Sequence, residues 1–345
     1  MKRDDTVVEK KQMIPCLQLI RFIAAIGVML SHIGFGDSYA TDISFSAGVN
    51  LFFCISSFLM LYTTQKGCPE NFVSKRLIRL LPLYWTLTIA TFAASKILSG
   101  INVFDDIRFV ELIKSLLCIP YSRGGLKTTM VIRPIVGPAW TMGYDVWFIF
   151  IFFVAMKISH KYRGLICAAM CLGVVVVGDL LPEGPIAHFM GRLYWINYIS
   201  GVIVFYIYKM LEDKVFMKSK SRFLLCVISF IGLTFLYIGR KTIEWNILLA
   251  FITVITVLIG LANVKMPSFI MNFGKISYSF YLTHYFVILV IGFVTDFDKL
   301  NAVTVIGTVI AFAVSLLTGY IGYFVFEEKL GMKLKNLFWG RRNLL

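Results

Sequence analysis

The stretch "LIRFIAAIGVMLSHIG", residues 19–34, is almost wholly apolar and yet contains Arg21 and His32. As a helix, an apolar run of this kind crosses the hydrocarbon core of a bilayer, which is about 30 Å thick. Ionisable groups in hydrocarbon cost several kcal/mol unless other parts of the protein receive them. The stretch therefore predicts a membrane helix whose two ionisable side chains have partners inside the protein.

The whole chain has the composition of a multi-pass membrane protein, since 58% of its 345 residues are hydrophobic and only 15% are charged. Ten apolar windows of about 18–22 residues are each long enough to span the bilayer. They are residues 16–35, 46–65, 78–98, 140–158, 164–181, 193–210, 223–240, 245–263, 275–295 and 302–325. The predicted fold class is an all-α integral membrane protein, a bundle of about ten transmembrane helices.

The basic residues predict the orientation of this bundle. With the N-terminus in the cytoplasm, the segments on the inner side hold 23 Lys and Arg residues and those on the outer side hold 10. Cytoplasmic loops carry such an excess, so both termini are predicted to be cytoplasmic. The net charge of +15 then reflects topology and argues against a nucleic-acid partner.

The chain is expected to form one transmembrane domain over residues 1–345, with no appended soluble domain. Its first apolar segment is too long for the apolar region of a signal peptide, contains Arg21 and is followed by no clear cleavage site. The long outer loop, residues 99–138, contains apolar runs such as "FVELIKSLLCIPY" and is expected to pack on the outer surface. The seven cysteines show neither C-x-x-C nor metal-ligand spacing, so no disulfide and no metal site is expected.

Arg21 and His32 lie on one face of their helix. Eleven residues place them about 20° apart around the axis and about 16 Å apart along it, so they cannot touch. Arg21 lies towards the cytoplasmic end and His32 towards the outer end. Two interpretations stay open for each residue: a role at a site, or a structural one in which Arg21 snorkels inward and His32 bonds a backbone carbonyl.

A second basic cluster opens the third window in "KRLIRLLPLYW", residues 75–85. Arg76 and Arg79 are three residues apart and share a helix face, with Lys75 beside them. Such a cluster can anchor a helix to lipid headgroups, or it can clamp phosphate, because guanidinium groups bind phosphate oxygens bidentately. Arg21 lies at a similar depth from the same side, which favours the clamp.

The fourth window carries a carboxylate in "GPAWTMGYDVWF", residues 137–148. Asp145 lies five residues below Trp140, at a depth comparable to that of His32. A carboxylate in the membrane needs a partner, and an imidazole oriented by Asp145 could act as a general base. Catalytic and purely structural pairing would look the same from sequence.

Other embedded polar residues give weaker signals. The second window has Asn50 and the pair Ser56 and Ser57, and small hydroxyl residues at such positions are typical of helix packing. His284 in "GKISYSFYLTH" lies near mid-membrane and is as well explained by bracing the bundle as by catalysis. Glu327 and Glu328 end the last helix at the inner surface, where they are candidates to pair with the arginine cluster.

Taken in order, these motifs resemble the membrane acyltransferase 3 family. The first helix has the family's Arg-x10-His spacing in "RFIAAIGVMLSH". The match continues through "GVNLFFCISSFLM", "KRLIRLLPLYW", "PAWTMGYDVWF", "GKISYSFYLTH" and "YFVFEEKL", over essentially the whole chain. The motifs most resemble those of the branch that O-acetylates bacterial exopolysaccharides and related surface glycans.

The resemblance implies an O-acetyltransferase of the bacterial cytoplasmic (inner) membrane. Acetyl-coenzyme A would be the donor, without a metal, and a hydroxyl of a lipid-linked or exported glycan the acceptor. Arg21 and His32 match the signature pair, and Arg76 and Arg79 match the basic motif. Further family-motif positions are occupied by Trp140, His284 and Glu327. The chain departs from the family in having Asp145 for a usual Glu, Asn50 for a common Asp and Ser57 for a common Gly.

Together, the residues and the resemblance give a hypothesis for the site. Arg21, Lys75, Arg76 and Arg79 would bind the coenzyme's phosphates, and His32, oriented by Asp145, would take the hydroxyl proton. Trp140, Tyr144 and backbone amides are all candidates to stabilise the oxyanion. The acyl group could pass directly to the acceptor or through a covalent intermediate on the protein. A transporter or flippase, or an acyltransferase acting on lipid or protein, stays open as an alternative.

Overall fold

The structure is a computed structural model, and its regular elements are helices. It describes residues 14–33, 48–97, 107–122, 134–212, 219–237, 242–261, 264–295, 297 and 302–340.

The helices follow one another along the chain with mostly short connections. They are α1 (Pro15–His32), α2 (Gly48–Thr63), α3 (Phe72–Ile97), α4 (Phe109–Leu116), α5 (Trp140–Ile158), α6 (Arg163–Leu180), α7 (Pro185–Met190), α8 (Tyr194–Glu212), α9 (Ser219–Tyr237), α10 (Ile243–Leu261), α11 (Ser268–Gly292), α12 (Ala302–Gly322) and α13 (Gly331–Trp339). A 3₁₀ turn at Gly137–Ala139 precedes α5, and a π-helical segment at Tyr323–Leu330 joins α12 to α13.

Each of the ten apolar windows overlaps a helix in the described residues. Six helical stretches in the described residues are long and apolar enough to cross a membrane, and two further apolar helices are shorter. The six are Pro15–His32, Phe72–Ile97, Gly137–Ile158, Arg163–Leu180, Ile243–Leu261 and Ala302–Trp339. The protein is thus a multi-pass membrane protein, while the number of about ten crossings and the cytoplasmic termini stay predictions. Residues 1–13 and 341–345 lie outside the described residues.

Aromatic side chains fill the interior of the bundle. Helix α1 lies against α11 and α2, α2 packs along α8, and α5 packs on α6. Phe148 stacks on Tyr198 with 4.0 Å between the ring centroids, and Phe53 lies 5.0 Å from the same tyrosine ring. Apolar side chains such as Phe230 and Val309 are exposed on the outside, where lipid tails replace water as their surroundings.

Helices α2 and α8 approach so closely that one position between them accepts no side chain. A Cβ added at Gly201 would lie 1.9 Å from Ser57 Oγ and 2.1 Å from the Cys54 carbonyl oxygen. Ser57 Oγ donates a hydrogen bond to that same carbonyl, at 3.1 Å. Ser57 therefore serves helix packing, as its sequence context predicts.

Gly201→Ala is expected to destabilise the bundle by about 1–3 kcal/mol or more, because the added methyl must push two packed backbones apart. The melting temperature in detergent measures this. Gly173→Ala in α6 is the matched control, since a Cβ there meets nothing within 4 Å and alanine favours a helix. Equal stability of the two variants would contradict the close approach.

The apolar loop between α3 and α5 packs against the bundle, as its sequence predicts. Tyr84 in the middle of α3 donates a hydrogen bond to the carbonyl oxygen of Ser115, at 2.7 Å. Ile107, Leu112 and Ile135 form a small apolar core beside it. Residues 99–106 and 123–133 of this loop lie outside the described residues, and the location of the loop on the outer side stays a prediction.

The exposed cysteine of the chain provides a test of the predicted orientation. Cys68, between α2 and α3, is exposed, whereas five other cysteines are buried and Cys226 is intermediate. We expect a membrane-impermeant maleimide to label Cys68 in inside-out vesicles and not in intact cells, and Cys68→Ser to abolish that label. Labelling of Cys68 from outside intact cells would reverse the orientation.

Candidate functional site

A cavity of about 430 Å³ lies between α1, α2, α3, α5 and α11. Its walls combine apolar side chains with a set of charged and hydroxyl groups. The polar members are Arg21, Ser56, Thr63, Lys75, Arg76, Arg79, Thr141, Asp145, Tyr278 and Tyr281. This size and this mixture are typical of small-molecule sites.

All four cations of the predicted phosphate clamp line this cavity. Arg21 comes from α1, and Lys75, Arg76 and Arg79 come from the first turns of α3. Arg76 Nη2 donates to Thr63 Oγ1 at 3.2 Å, and its guanidinium carbon lies 4.8 Å from the centroid of the Phe72 ring. These contacts fix Arg76 against α2 and the start of its own helix. The structure therefore brings together the cations that share a depth in the sequence.

Arg79 is held by a buried carboxylate. Its Nε donates to Glu327 Oε2 at 3.0 Å, and Ser279 Oγ donates to Glu327 Oε1 at 2.7 Å. The Glu327 side chain is only 3% exposed, and it belongs to the π-helical segment, a rare geometry that often marks functional sites. The predicted pairing of the C-terminal glutamates with the arginine cluster is confirmed for Glu327.

Glu327→Ala is expected to raise the KM for the acyl donor by about tenfold, equivalent to ~1.4 kcal/mol. Without the carboxylate, Arg79 loses the partner that holds its guanidinium group at the cavity. Steady-state kinetics at varied donor concentration measure the effect. The neighbouring Glu328 is exposed, so Glu328→Ala is the control and should change KM less than about twofold, well under 1 kcal/mol. A lower KM in Glu327→Ala would instead mean that Glu327 competes with the donor for Arg79.

Asp145 also belongs to this cavity. Its Oδ1 accepts a hydrogen bond from the Tyr198 hydroxyl at 3.0 Å, and Ser56 is a second hydrogen-bonding partner. Arg21 and Arg76 are close enough to interact with it electrostatically. Asp145 is therefore the carboxylate that balances charge among the cations of the cavity.

The predicted His32–Asp145 pair is wrong. The aromatic neighbours of His32 are His284 and Tyr285 on α11, with ring centroids 5.3 Å and 5.7 Å away. Counting residues from the helix ends predicted equal depth, but depth does not specify which helices are neighbours. Helix α1 packs mainly on α11 and α2, whereas α5 packs mainly on α6 and α3.

His284 lies just beyond one wall of the cavity. Its ring centroid is 5.9 Å from that of Tyr281, which lines the cavity. The Tyr281 hydroxyl donates to the Pro138 carbonyl oxygen at 2.8 Å and lies 3.0 Å from Thr141 Oγ1. His32 and His284 themselves do not line the cavity, and Tyr281 is a lining residue whose ring contacts His284.

The two side chains considered for the oxyanion lie elsewhere. Trp140 packs against Tyr194, with 5.0 Å between ring centroids, and Tyr144 donates its hydroxyl proton to the Phe189 carbonyl oxygen at 3.1 Å. Neither lines the cavity. The tyrosines that do, Tyr278 and Tyr281, were not singled out from sequence, although hydroxyl groups in an apolar helix signal a need for partners.

The sequence model of the acyltransferase 3 family, described as an acyltransferase domain, matches residues 14–323. The chain belongs to the acyltransferase 3 family. Together with the apolar helices, this membership makes the protein a membrane acyltransferase. Within the helices and loops described above, no group of three or more His, Cys, Asp or Glu side chains is placed to hold a metal ion.

A curated relative is similar to part of this acyltransferase 3 protein. The exopolysaccharide production protein ExoZ of Rhizobium meliloti (strain 1021) is 24% identical over 162 residues. The alignment covers 46% of this chain and 50% of ExoZ, so the chain spans about half the length of that relative. No solved structure matches the chain.

Proposed function

We propose that the protein is an O-acetyltransferase of the bacterial inner membrane, which moves acetyl from cytoplasmic acetyl-coenzyme A to a hydroxyl of a surface or exported glycan. The observation that carries the proposal is the convergence of Arg21, Lys75, Arg76 and Arg79 on one cavity. Coenzyme A is a polyanion whose phosphates suit bidentate guanidinium groups. Family membership supports the acyl transfer itself.

The position of these cations favours a ligand over lipid anchoring. A headgroup anchor requires cations that face the lipid headgroups, whereas Arg21 and Arg76 share the walls of a cavity with Asp145 and Tyr281. Four cations face two carboxylates, Asp145 and Glu327, so the cavity keeps an excess of positive charge. That excess suits an anionic donor.

His32 is the proposed general base. Its side chain is exposed at the outer end of α1, where an acceptor hydroxyl can reach it. As His32 takes the hydroxyl proton, the oxygen attacks the thioester carbonyl carbon and a C–O bond forms. The C–S bond then breaks, and the leaving thiolate takes the proton from the His32 imidazolium. The products are the acetyl ester and coenzyme A with a free thiol.

The donor must span the distance between the cations and the base. Arg21 and His32 are about 16 Å apart along α1. Acetyl-coenzyme A carries a long flexible arm between its phosphates and its thioester, which suits such a separation. Asp145, bonded to Tyr198, is proposed to orient Arg21 and Arg76 and not the base.

The glycan acceptor is supported by the relative named for exopolysaccharide production. Two measurements test the proposal. Membranes containing the protein should transfer radiolabelled acetyl from acetyl-coenzyme A, and mass analysis of the surface glycan should lose acetyl groups when the gene is deleted. Transfer to lipid or protein alone would reject the glycan, and the absence of any transfer would favour a transporter.

A further inference from the structure

Two histidines meet where α1 packs on α11. The ring centroids of His32 and His284 are 5.3 Å apart, and the ring planes are inclined by 38°. The two helices also approach closely near their N-terminal ends, since a Cβ added at Gly274 would lie 2.2 Å from the Cβ of Gln18. The contact between the histidines is thus built into a tight helix pair.

The hydrogen bond of His284 specifies its tautomer. Its Nδ1 lies 3.2 Å from the carbonyl oxygen of Phe280, and a carbonyl only accepts, so Nδ1 carries the proton. Nε2 is then an acceptor. His284 is 0% exposed, and Nε2 has no hydrogen-bond partner among the described residues. A buried acceptor without a partner is unfavourable and identifies a place where a donor is missing.

An ionised carboxylate only accepts hydrogen bonds, so neither Asp145 nor Glu327 could supply that donor. Asp145 is bonded by Tyr198 and Glu327 by Arg79 and Ser279. The neighbouring side chain with a ring N–H that can donate to Nε2 is His32. When the nitrogens of two imidazole rings face each other at hydrogen-bond distance, about 3 Å, the ring centroids are about 5 Å apart. Rotation of the His32 ring, without a change in the separation of the two rings, is therefore enough to form a hydrogen bond to His284 Nε2.

We infer that His284 is the positioning residue for His32. Its Nε2 accepts a hydrogen bond from one ring nitrogen of His32, which leaves the other nitrogen unprotonated and free to take the acceptor's proton. The pair cannot be doubly protonated at low cost, because two positive charges about 5 Å apart repel strongly in a medium of low dielectric constant. His284 therefore stays neutral throughout the reaction. This inference rests on the proposed function.

Two isopolar variants test the inference. His284→Gln places its amide near the position of Nε2, whereas His284→Asn places it near Nδ1. Positioning through Nε2 predicts that the Gln variant retains most of kcat. The kcat of the Asn variant should fall by roughly 10- to 100-fold, which is part of the 10²–10⁴-fold that general-base catalysis contributes to the rate. KM for acetyl-coenzyme A should stay within about twofold in both variants, since His284 lies outside the cation-lined cavity.

A purely structural role of His284 predicts a higher kcat for the Asn variant than for the Gln variant, because Asn preserves the hydrogen bond to the Phe280 carbonyl and Gln does not. Equal or higher kcat for His284→Asn therefore overturns the inference. If the Asn variant fails to accumulate, His284→Phe, which keeps the ring volume, replaces it with the same expectation. His188→Asn is the matched control, because His188 lies in the short helix α7 and bonds Arg192, and it should retain wild-type kcat.

The proposed function and the positioning role of His284 can be rejected independently. If wild-type membranes transfer no acetyl from acetyl-coenzyme A, the proposed function is rejected before any variant is made. If wild-type protein transfers acetyl and His284→Asn does so at the same kcat, only the positioning role is rejected.

Discussion

His32→Ala should lower the rate of acetyl transfer by about 10²–10⁴-fold, the range expected for loss of a general base. The His32 side chain is exposed at the end of α1. Its removal deletes ring contacts with His284 and Tyr285, and the free energy of unfolding should fall by about 0.5–1 kcal/mol. Initial rates in membranes, divided by the amount of folded protein, measure the loss.

The control for this variant is His188→Ala, which removes a histidine of the short helix α7 that contacts neither His32 nor the cavity. It should retain the wild-type rate. A folded His32→Ala protein that transfers acetyl at nearly the wild-type rate would end the claim that His32 is the base. The proposal would then need another group at the α1–α11 contact, and His284 would be the first to examine.

The second large effect is expected at the cavity. Arg76→Ala and Arg79→Ala should each raise KM for acetyl-coenzyme A by about 10- to 100-fold, because each removes a charge-assisted hydrogen bond of about 1.5–3 kcal/mol. Lys at either position should restore only part of the affinity, since an ammonium group cannot bind phosphate bidentately. Binding of radiolabelled coenzyme A to the purified protein measures the same loss without turnover.

Lys161→Ala is a suitable control for the arginine variants. Lys161 is an exposed cation between α5 and α6 that lines no part of the cavity, so its removal should leave donor affinity unchanged. If both arginine variants accumulate normally and bind coenzyme A like the wild type, the cluster is a lipid anchor and not a phosphate clamp.

Much of the fold could be predicted from sequence because apolar length is a strong signal. All ten apolar windows overlap helices, and the four cations at one predicted depth share one cavity. The similar depth of these cations in the membrane was predictable because the first and third helices were assigned to enter the membrane from the same side. The pairing of Glu327 with Arg79 was also predictable, since a carboxylate near a cationic cluster at the same end of the bundle has few other partners.

Lateral neighbours could not be predicted in the same way. His32 and Asp145 were matched by depth alone, and only the packing of α1 on α11 shows that the ring beside His32 is that of His284. The partner of Asp145, Tyr198, comes from a helix whose sequence gave no sign of a site. The π-helical segment at Tyr323–Leu330 was equally invisible, because its register depends on tertiary contacts.

The separation between the cationic cavity and the histidine pair has a consequence for turnover. With acetyl-coenzyme A as the proposed donor, the reaction would change the thioester and leave the phosphates untouched, so cations that hold the phosphates would bind acetylated and free coenzyme alike. Such uniform binding gives strong product inhibition. Spent coenzyme would occupy the cavity until exchanged, and the rate in the cell would follow the ratio of acetylated to free coenzyme and not the donor concentration alone.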